Sequence, residues 1–269
     1  MSLRWLTAAV DWQSRAVVGR HFRIYMRNWK TAFVPPAMEP VMMLLAFGLG
    51  LGGWLANMPW QGRELGYMTF VAPGMLAYAT FTSSTFQALY AAFIRMHYQR
   101  TWEGQLTTQI EMRHVVWGEI LWAGVLASMY VAIVSIVLAL CRAFGLVTFD
   151  VAMLPAAVPF AFLAGCAFAA LGLCFTALVP TIDHMNLPVF LFVLPVAFTS
   201  GTYFPITHPV VAAISQANPV YHLAEGLRGL LLGAPAAGHL LALGAISIAM
   251  LGVLVPLDIR LLRRRVLGE

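Results

Sequence analysis

RMHYQRTWEGQL, residues 95–106, separates two apolar stretches that are each long enough to cross a membrane. Arg95, Arg100 and nearby Arg113 interleave with Tyr98, Trp102 and Glu103. The segment is too polar to insert, yet Tyr98, Trp102 and Leu106 furnish it too well for a purely solvated linker. Its flanks decide the fold class, because a chain that is 61% hydrophobic and 10% charged cannot stay soluble around one core. This is the composition of an integral membrane protein.

A hydrocarbon core of about 30 Å takes roughly 20 apolar residues in a helix. Six stretches meet or approach that length: Phe33 to Ala56, Tyr67 to Ile94, Val115 to Cys141, Val151 to Val179, Leu187 to Phe204 and Leu240 to Ile259. With the N-terminus inside, the inner side holds thirteen of the sixteen basic residues. Six precede the first span (Arg4, Arg15, Arg20, Arg23, Arg27, Lys30), three lie around residues 95–114, and Arg260, Arg263, Arg264 and Arg265 follow the last span. Arg63, Arg142 and Arg228 fall outside. The positive-inside bias sets this orientation, and it accounts for the net charge of +5 without a nucleic-acid partner.

The first fifteen residues, MSLRWLTAAVDWQSR, lack the apolar core of a cleavable signal peptide. Residues 1–30 intersperse Trp5, Leu6, Val10, Val17, Ile24 and Trp29 among arginines, the composition of an amphipathic helix lying in the inner interface. A simple anchor fits the same composition. On the outer side, residues 205–239 contain VVAAISQAN and VYHLAEGLRGLLLG, helical in pattern but too short to span, so re-entrant or interfacial helices are expected there. One membrane domain, residues 31–260, therefore stands between the interfacial segment 1–30 and a basic tail, 261–269. Cys141, Cys166 and Cys174 sit in apolar runs without paired spacing, as small fillers rather than a zinc site or disulfide framework.

Several chemistries are disfavoured. The chain has one lysine, Lys30, outside any G-x-x-x-x-G-K-[ST], so it binds no ATP through a P-loop of its own. Ionisable groups at span centres cost about 2.5 to 3.5 kcal/mol each and mark ion-coupled carriers. Glu39, Glu119 and Asp258 instead fall near predicted span ends, which leaves such a carrier a weak rival. Seven histidines form no H-E-x-x-H, and the Ser200–Gly201 pair has no histidine at a later span centre, so a membrane enzyme is a weak rival too.

Gly48 and Gly52 share a face of the first span, with Gly50 and Gly53 adjacent, the small-residue pattern of close helix packing within a subunit or across a dimer. Pro188 and Pro195 interrupt the fifth span and make it a candidate for lining a path. The opening stretch, placed inside by the charge count, reads as a helix that docks on a cytoplasmic partner, with a solvated helix as the alternative.

The chain resembles the type-2 ABC exporter permeases, most closely the nodulation protein J branch. The likeness runs through EPVMMLLAFGLGLG, FIRMHYQRTWEGQL, the GE-x-x-W of Gly118, Glu119 and Trp122, the SG-x-x-FP of Ser200, Gly201, Phe204 and Pro205, and NPVYHLAEGLRG. The resemblance implies an all-α, six-span permease that acts as a homodimer with two copies of a separate ATPase, in a bacterial inner membrane with both termini cytoplasmic. ATP and Mg would be bound by that partner, and this chain would hold no cofactor, metal or catalytic residue. It also implies that Arg95, Tyr98, Arg100, Thr101, Trp102 and Glu103 form or flank the coupling helix, so alanine at Trp102 and Glu103 is expected to impair transport with little effect on insertion. The first and fifth spans would line the path with Phe47, Phe192, Pro195 and Tyr203, beside Trp54 and Phe198. Ser200, Gly201, Phe204, Pro205, His222, Glu225 and Arg228 would belong to the path or an outer gate. The nodulation branch exports acylated amino-sugar oligomers, so an amphiphilic, lipid-linked saccharide is the expected cargo. Efflux of a hydrophobic drug is the alternative, since aromatic walls bind either.

Overall fold

The computed structural model describes residues 4–46, 50 and 57–268. A short helix α1 (Arg4–Thr7) leads into α2 (Trp12–Arg27) and α3 (Trp29–Leu45). Strands β1 (Met58–Trp60) and β2 (Arg63–Leu65) pair antiparallel, with Trp60 opposite Arg63. The chain then forms α4 (Tyr67–Phe86), α5 (Thr101–Leu106), α6 (Met112–Ala143), α7 (Ala157–Leu178), α8 (Asn186–Pro188), α9 (Leu194–Phe198), α10 (Pro209–Ser215), α11 (Pro219–Leu231) and α12 (Ala237–Leu267).

Among the described residues, three helical segments are long and apolar enough to cross a membrane: Met112–Ala143, Val151–Leu178 and Ala237–Leu267. The protein is thus a largely helical, multi-pass membrane protein, with the small hairpin as an exception to the all-α expectation. Residues 57–66, read as a plain loop, turn through Gln61 and Gly62, both at positive φ (45° and 74°). That is the two-residue hairpin geometry that matches strand twist.

The second predicted crossing segment is present as α4 but is less apolar, because Thr80, Ser84 and Thr85 lie buried within the bundle. The hydroxyls of Thr80 and Ser84 donate back to the carbonyls of Leu76 and Thr80, at 2.8 and 2.6 Å, and so hide their polarity in the helix's own backbone. Beyond Phe86 the helix continues through two π-helical turns, Gln87–Ala91 and Ile94–Tyr98. The fifth predicted segment, Leu187–Phe204, is shorter than expected, since regular helix ends at Phe198. Thr199 N–H and Oγ1 both donate to the Pro195 carbonyl, Ser200 Oγ donates to Ala197 O, and Gly201 adopts φ 64°, which turns the chain away.

The helix α7 sits at the centre, packed on α6, α4 and α12. Phe168 of α7 meets Phe81 of α4 edge to face, with ring centroids 5.0 Å apart. The α6–α7 seam is close because a Cβ on Gly165 would stand 2.9 Å from the Cβ of Ala127. By contrast, α12 leaves Leu241, Ile248 and Val253 exposed, the outward apolar face that lipid would cover. Its basic end is no separate tail: the helix runs on to Leu267, and Arg265 Nη1 donates to the carbonyls of Thr176 (2.7 Å), Ala177 (3.0 Å) and Val179 (2.5 Å), closing the C-terminus of α7.

Candidate functional site

The first site is built on the first turns of α6. Ser14, Val17 and His21, at helical spacing, form the buried face of α2 and press it on α6. Gly118 makes this possible, because a Cβ there would fall 2.5 Å from the Cβ of Val17. Asp11, just before α2, lies 3.3 Å from His114 Nε2, while His114 Nδ1 accepts from the Glu111 backbone N–H at 3.0 Å. The N-terminal segment is therefore packed onto the membrane domain by named contacts, beyond the loose interfacial anchor its composition allows. Gly118→Leu is expected to unseat α2 at a cost of about 1–3 kcal/mol. The check is faster tryptic cleavage at Arg15 and Arg20 with a lower unfolding temperature.

One residue further, Glu119 is buried and gathers three elements. Arg95, in the second π-helical turn beyond α4, gives it a two-pronged ion pair, with Nε donating to Oε1 at 3.0 Å and Nη2 to Oε2. Trp102 of α5 donates its indole N–H to Oε1 at 3.0 Å, and His21 Nε2 of α2 lies 3.2 Å from the same oxygen. The Gln87 amide, its oxygen turned inward, accepts from Trp122 Nε1 at 2.9 Å and from Arg95 Nη2 at 3.0 Å. Trp122 also packs against Tyr25 of α2, whose hydroxyl shares a 2.7 Å hydrogen bond with Tyr130. Burial, then the Tyr130 hydroxyl, hold the Tyr25 phenol well above its ordinary range, so it stays neutral. The GE-x-x-W run is thus a seat: Gly118 admits α2, Glu119 fixes α5, and Trp122 braces α2 and Gln87.

The residues expected at the coupling contact divide accordingly. Trp102 is 0% exposed and faces Glu119, and Arg95 is largely buried beside it, so these two hold the segment from behind and offer no surface to a partner. Tyr98 is 58% exposed, and Arg100 and Glu103 stand 3.9 Å apart on the outside with side chains 75% and 50% exposed; Thr101 starts the helix between them. Arg100 reaches this position in the left-handed region, φ 47°, which turns the chain sharply from α4 into α5. The double alanine change at Trp102 and Glu103 therefore mixes a stability effect with a surface effect. Losing the Trp102 side chain alone is expected to cost about 3–5 kcal/mol.

On the opposite side, Arg228 of α11 is 0% exposed and pairs with Glu225 one turn before it. Its Nε donates to Phe70 O of α4 at 3.0 Å, its Nη2 to Gly201 O at 3.1 Å, and its guanidinium lies 3.9 Å from the Phe70 ring centroid. Glu225 Oε2 accepts from Trp60 Nε1 of the hairpin at 2.7 Å. Ser200 is buried in a 2.7 Å bond with Thr202, and His222 Nε2 donates to Gln216 O at 2.8 Å. Ser200, Gly201, His222, Glu225 and Arg228 thus knit a closed cap rather than line an open path, because buried charges must be satisfied by fixed partners. Phe204, at 51% exposure, and Pro205 stand at its surface; Tyr203 meets Tyr78 edge to face at 5.9 Å, and Tyr78 donates to Glu39 at 3.1 Å. Phe192 packs on Phe175 (5.6 Å) and walls a cavity of about 540 Å³ with Phe81, Phe168, Val196 and Asn218, while Pro195 is exposed beside it. Phe47, Gly48, Gly52, Gly53 and Trp54 lie outside the described residues. A Cβ at Gly50 would meet nothing within 4 Å in this single chain.

In the sequence Glu119 stands out as a span-end acid within GE-x-x-W, and nothing there marks the caps made by Trp60 and Arg265. The signal available is an acid and an arginine inside apolar flanks, which only partners elsewhere can make tolerable. Asp258 is likewise buried, 2.8 Å from Cys174 Sγ.

The family model for the ABC-2 type transporter matches residues 13–232, from the start of α2 to the end of α11. The chain belongs to this family. Among curated relatives, it is 34% identical over 255 residues to nodulation protein J of Rhizobium leguminosarum bv. viciae, covering 91% of this chain and 94% of that one. Identity to nodulation protein J of Rhizobium meliloti is 31% over 263 residues, 96% of each chain. The inner membrane transport permease YadH of Escherichia coli strain K12 is 23% identical over 235 residues, covering 87% and 86%. As an ABC-2 permease the chain is a transport subunit, of the kind that works with an ATPase subunit in ABC transporters. Among the described residues no three metal-ligating side chains come together.

Proposed function

We propose that this ABC-2 permease exports an amphiphilic, lipid-linked saccharide across the bacterial inner membrane, as a six-span homodimer driven by two copies of a separate ATPase that binds ATP and Mg. The observation that carries the coupling is the Glu119 seat. It fixes α5 to α6, α4 and α2 at once, so a push on the exposed Tyr98, Arg100 and Glu103 moves several helices as one body. The distribution of arginines supports an arrangement with both termini inside. ATP-driven closure of the ATPases favours one of two arrangements of the spans, which opens the path.

A saccharide is supported by a second groove, of about 540 Å³ between α3, α4 and α6, whose walls include Glu39, Thr82, Ser83, Gln87 and Tyr130. The Thr82 and Ser83 hydroxyls donate to Tyr78 O and Thr80 O at 2.9 and 3.2 Å and keep acceptor lone pairs for a sugar's hydroxyls beside the Glu39 carboxylate, while the cavity beside Phe192 suits an acyl chain. That apolar cavity also favours the second reading, efflux of a hydrophobic drug. The names of the rhizobial relatives point toward a nodulation factor as cargo. Thr82→Val with Ser83→Ala is expected to lower transport of an acylated oligosaccharide about fivefold to tenfold, at about 1 kcal/mol or more for the hydrogen bonds removed. An aromatic drug should be moved unchanged; the opposite pattern in vesicle uptake assays would move the assignment to drug efflux.

Coupling is tested separately. Tyr98→Ala with Arg100→Ala is expected to reduce permease-stimulated ATP hydrolysis severalfold while the unfolding temperature stays within the scatter typical of surface changes. Full stimulation by this variant would remove α5 from the contact.

A further inference from the structure

We infer that the groove between α3, α4 and α6 takes an amphiphile that carries an ammonium group, a protonated amine or a quaternary nitrogen, and holds that group at Glu39. The inference rests on the reading of this groove as a cargo site and adds the charge that the cargo bears. Among the described residues that line the groove, Glu39 alone has a full charge. It stands in a stretch of α3, from Thr31 to Leu45, with no other charged residue, and it is exposed at the groove. None of the ion pairs among the described residues includes it. Tyr78, a neutral donor, gives Oε1 a hydrogen bond at 3.1 Å, which orients the carboxylate and occupies one of its roughly four lone-pair sites. Arg95 follows Ile94 at the end of the groove, but it is spent on Glu119 and on the Gln87 oxygen. The carboxylate therefore faces the groove with its charge uncompensated. An ionisable group in an apolar span is costly, and where one occurs it marks a substrate path with a partner to be named.

The aromatic lining names that partner independently. Tyr25, Phe86, Tyr90 and Tyr130 wall the same groove, with the Phe86 and Tyr90 rings 5.9 Å apart. The negative face of such rings attracts a cation and does little for a neutral amide. Carboxylate and rings together are the recognition chemistry of an ammonium, and a phosphate or carboxylate on the cargo would meet Glu39 as a like charge. Thr82 and Ser83 serve neighbouring hydroxyls, so the groove reads a charge and a sugar side by side. An amino group on the saccharide and the headgroup of phosphatidylethanolamine share this chemistry.

Binding is measured on the whole permease, without its ATPase, in phosphatidylglycerol nanodiscs. The radiolabelled probes are dodecyl glucosaminide with a free amine, its N-acetyl form, and dodecyltrimethylammonium. Glu39→Gln keeps an oxygen for Tyr78 and removes the charge; it is expected to weaken both cations about tenfold, the usual scale for a hydrogen bond or contact to a charged group, and to leave the N-acetyl form unchanged. Because variant and wild type are compared in the same bilayer, partition of the probes into lipid cancels. Glu39→Asp should keep most of the preference, and Tyr90→Leu should weaken dodecyltrimethylammonium about threefold. If Glu39→Gln does not assemble, Tyr90→Leu carries the reading. Undiminished binding of the cations to Glu39→Gln, or an equal loss of the N-acetyl form, would overturn the ammonium site and leave the saccharide groove standing. Binding of dodecyltrimethylammonium without either glycoside would keep the ammonium site and remove the saccharide. Displacement of the cations by phosphatidylethanolamine added to the nanodiscs would keep the site and make a lipid its source. Altered dimer assembly in Glu39→Gln with probe binding unchanged would overturn it in favour of a contact between two copies.

Discussion

Glu119→Ala is expected to abolish ATP-driven transport and to destabilise the permease around the start of α6 by about 3–5 kcal/mol, the usual consequence of stranding a buried charge. Arg95 would lose both prongs of its ion pair, and Trp102 would keep a buried indole N–H with no acceptor. Since α2, α4 and α5 all converge on this carboxylate, the loss should spread beyond one pair. Glu119→Gln is the informative companion. It keeps an oxygen for Trp102 but removes the charge that holds Arg95, so part of the stability should return while coupling stays impaired. Thermal unfolding in detergent, read beside stimulated ATP hydrolysis, separates the two. A Glu119→Ala permease with wild-type unfolding and wild-type transport would mean that the seat holds nothing.

The second large effect is expected at Arg228. Arg228→Met leaves the Glu225 carboxylate buried and frees the carbonyls of Phe70 and Gly201, again at about 3–5 kcal/mol. Removing the charge from both partners, in Arg228→Met with Glu225→Gln, should be milder than Arg228→Met alone, because no uncompensated charge remains and the introduced amide oxygen can still accept from Trp60. That ordering is the signature of a structural ion pair in the double-mutant cycle. If the double variant were folded but leaked substrate, the cap would be a gate as well; if it were worse than the single change, the pair would not be acting through charge.

The long elements were legible because apolar length is a strong signal: the stretches read at Val115–Cys141, Val151–Val179 and Leu240–Ile259 correspond to the three helices able to cross. The short helices α10 and α11 fall where VVAAISQAN and VYHLAEGLRGLLLG read as helical in pattern, and each opens on a proline, Pro209 and Pro219. The fifth segment was overextended past Phe198, because hydropathy does not register the side-chain bonds of Thr199 and Ser200 that end it. The hairpin was missed although Gln61–Gly62 was visible, since three-residue strands carry almost no alternation. Among the site residues, the stretch 95–103 was found as a unit but its inward and outward faces were not separable, because Trp102 and Tyr98 look alike until Glu119 is seen behind one of them. The same limit applies to Glu225 and Arg228: sequence marks them as unusual, and only the surrounding carbonyls show that they close the fold.

In the proposed function α5 carries motion from an ATPase into the spans. It is tested most directly by placing a photo-crosslinker at Glu103 in native membranes and identifying the captured protein by mass spectrometry. An ABC ATPase is the expected adduct, with capture changing when ATP is trapped, and no such adduct is expected from the same probe at Phe204. A permease that captures no ATPase at Glu103 and still moves its substrate without ATP would contradict it.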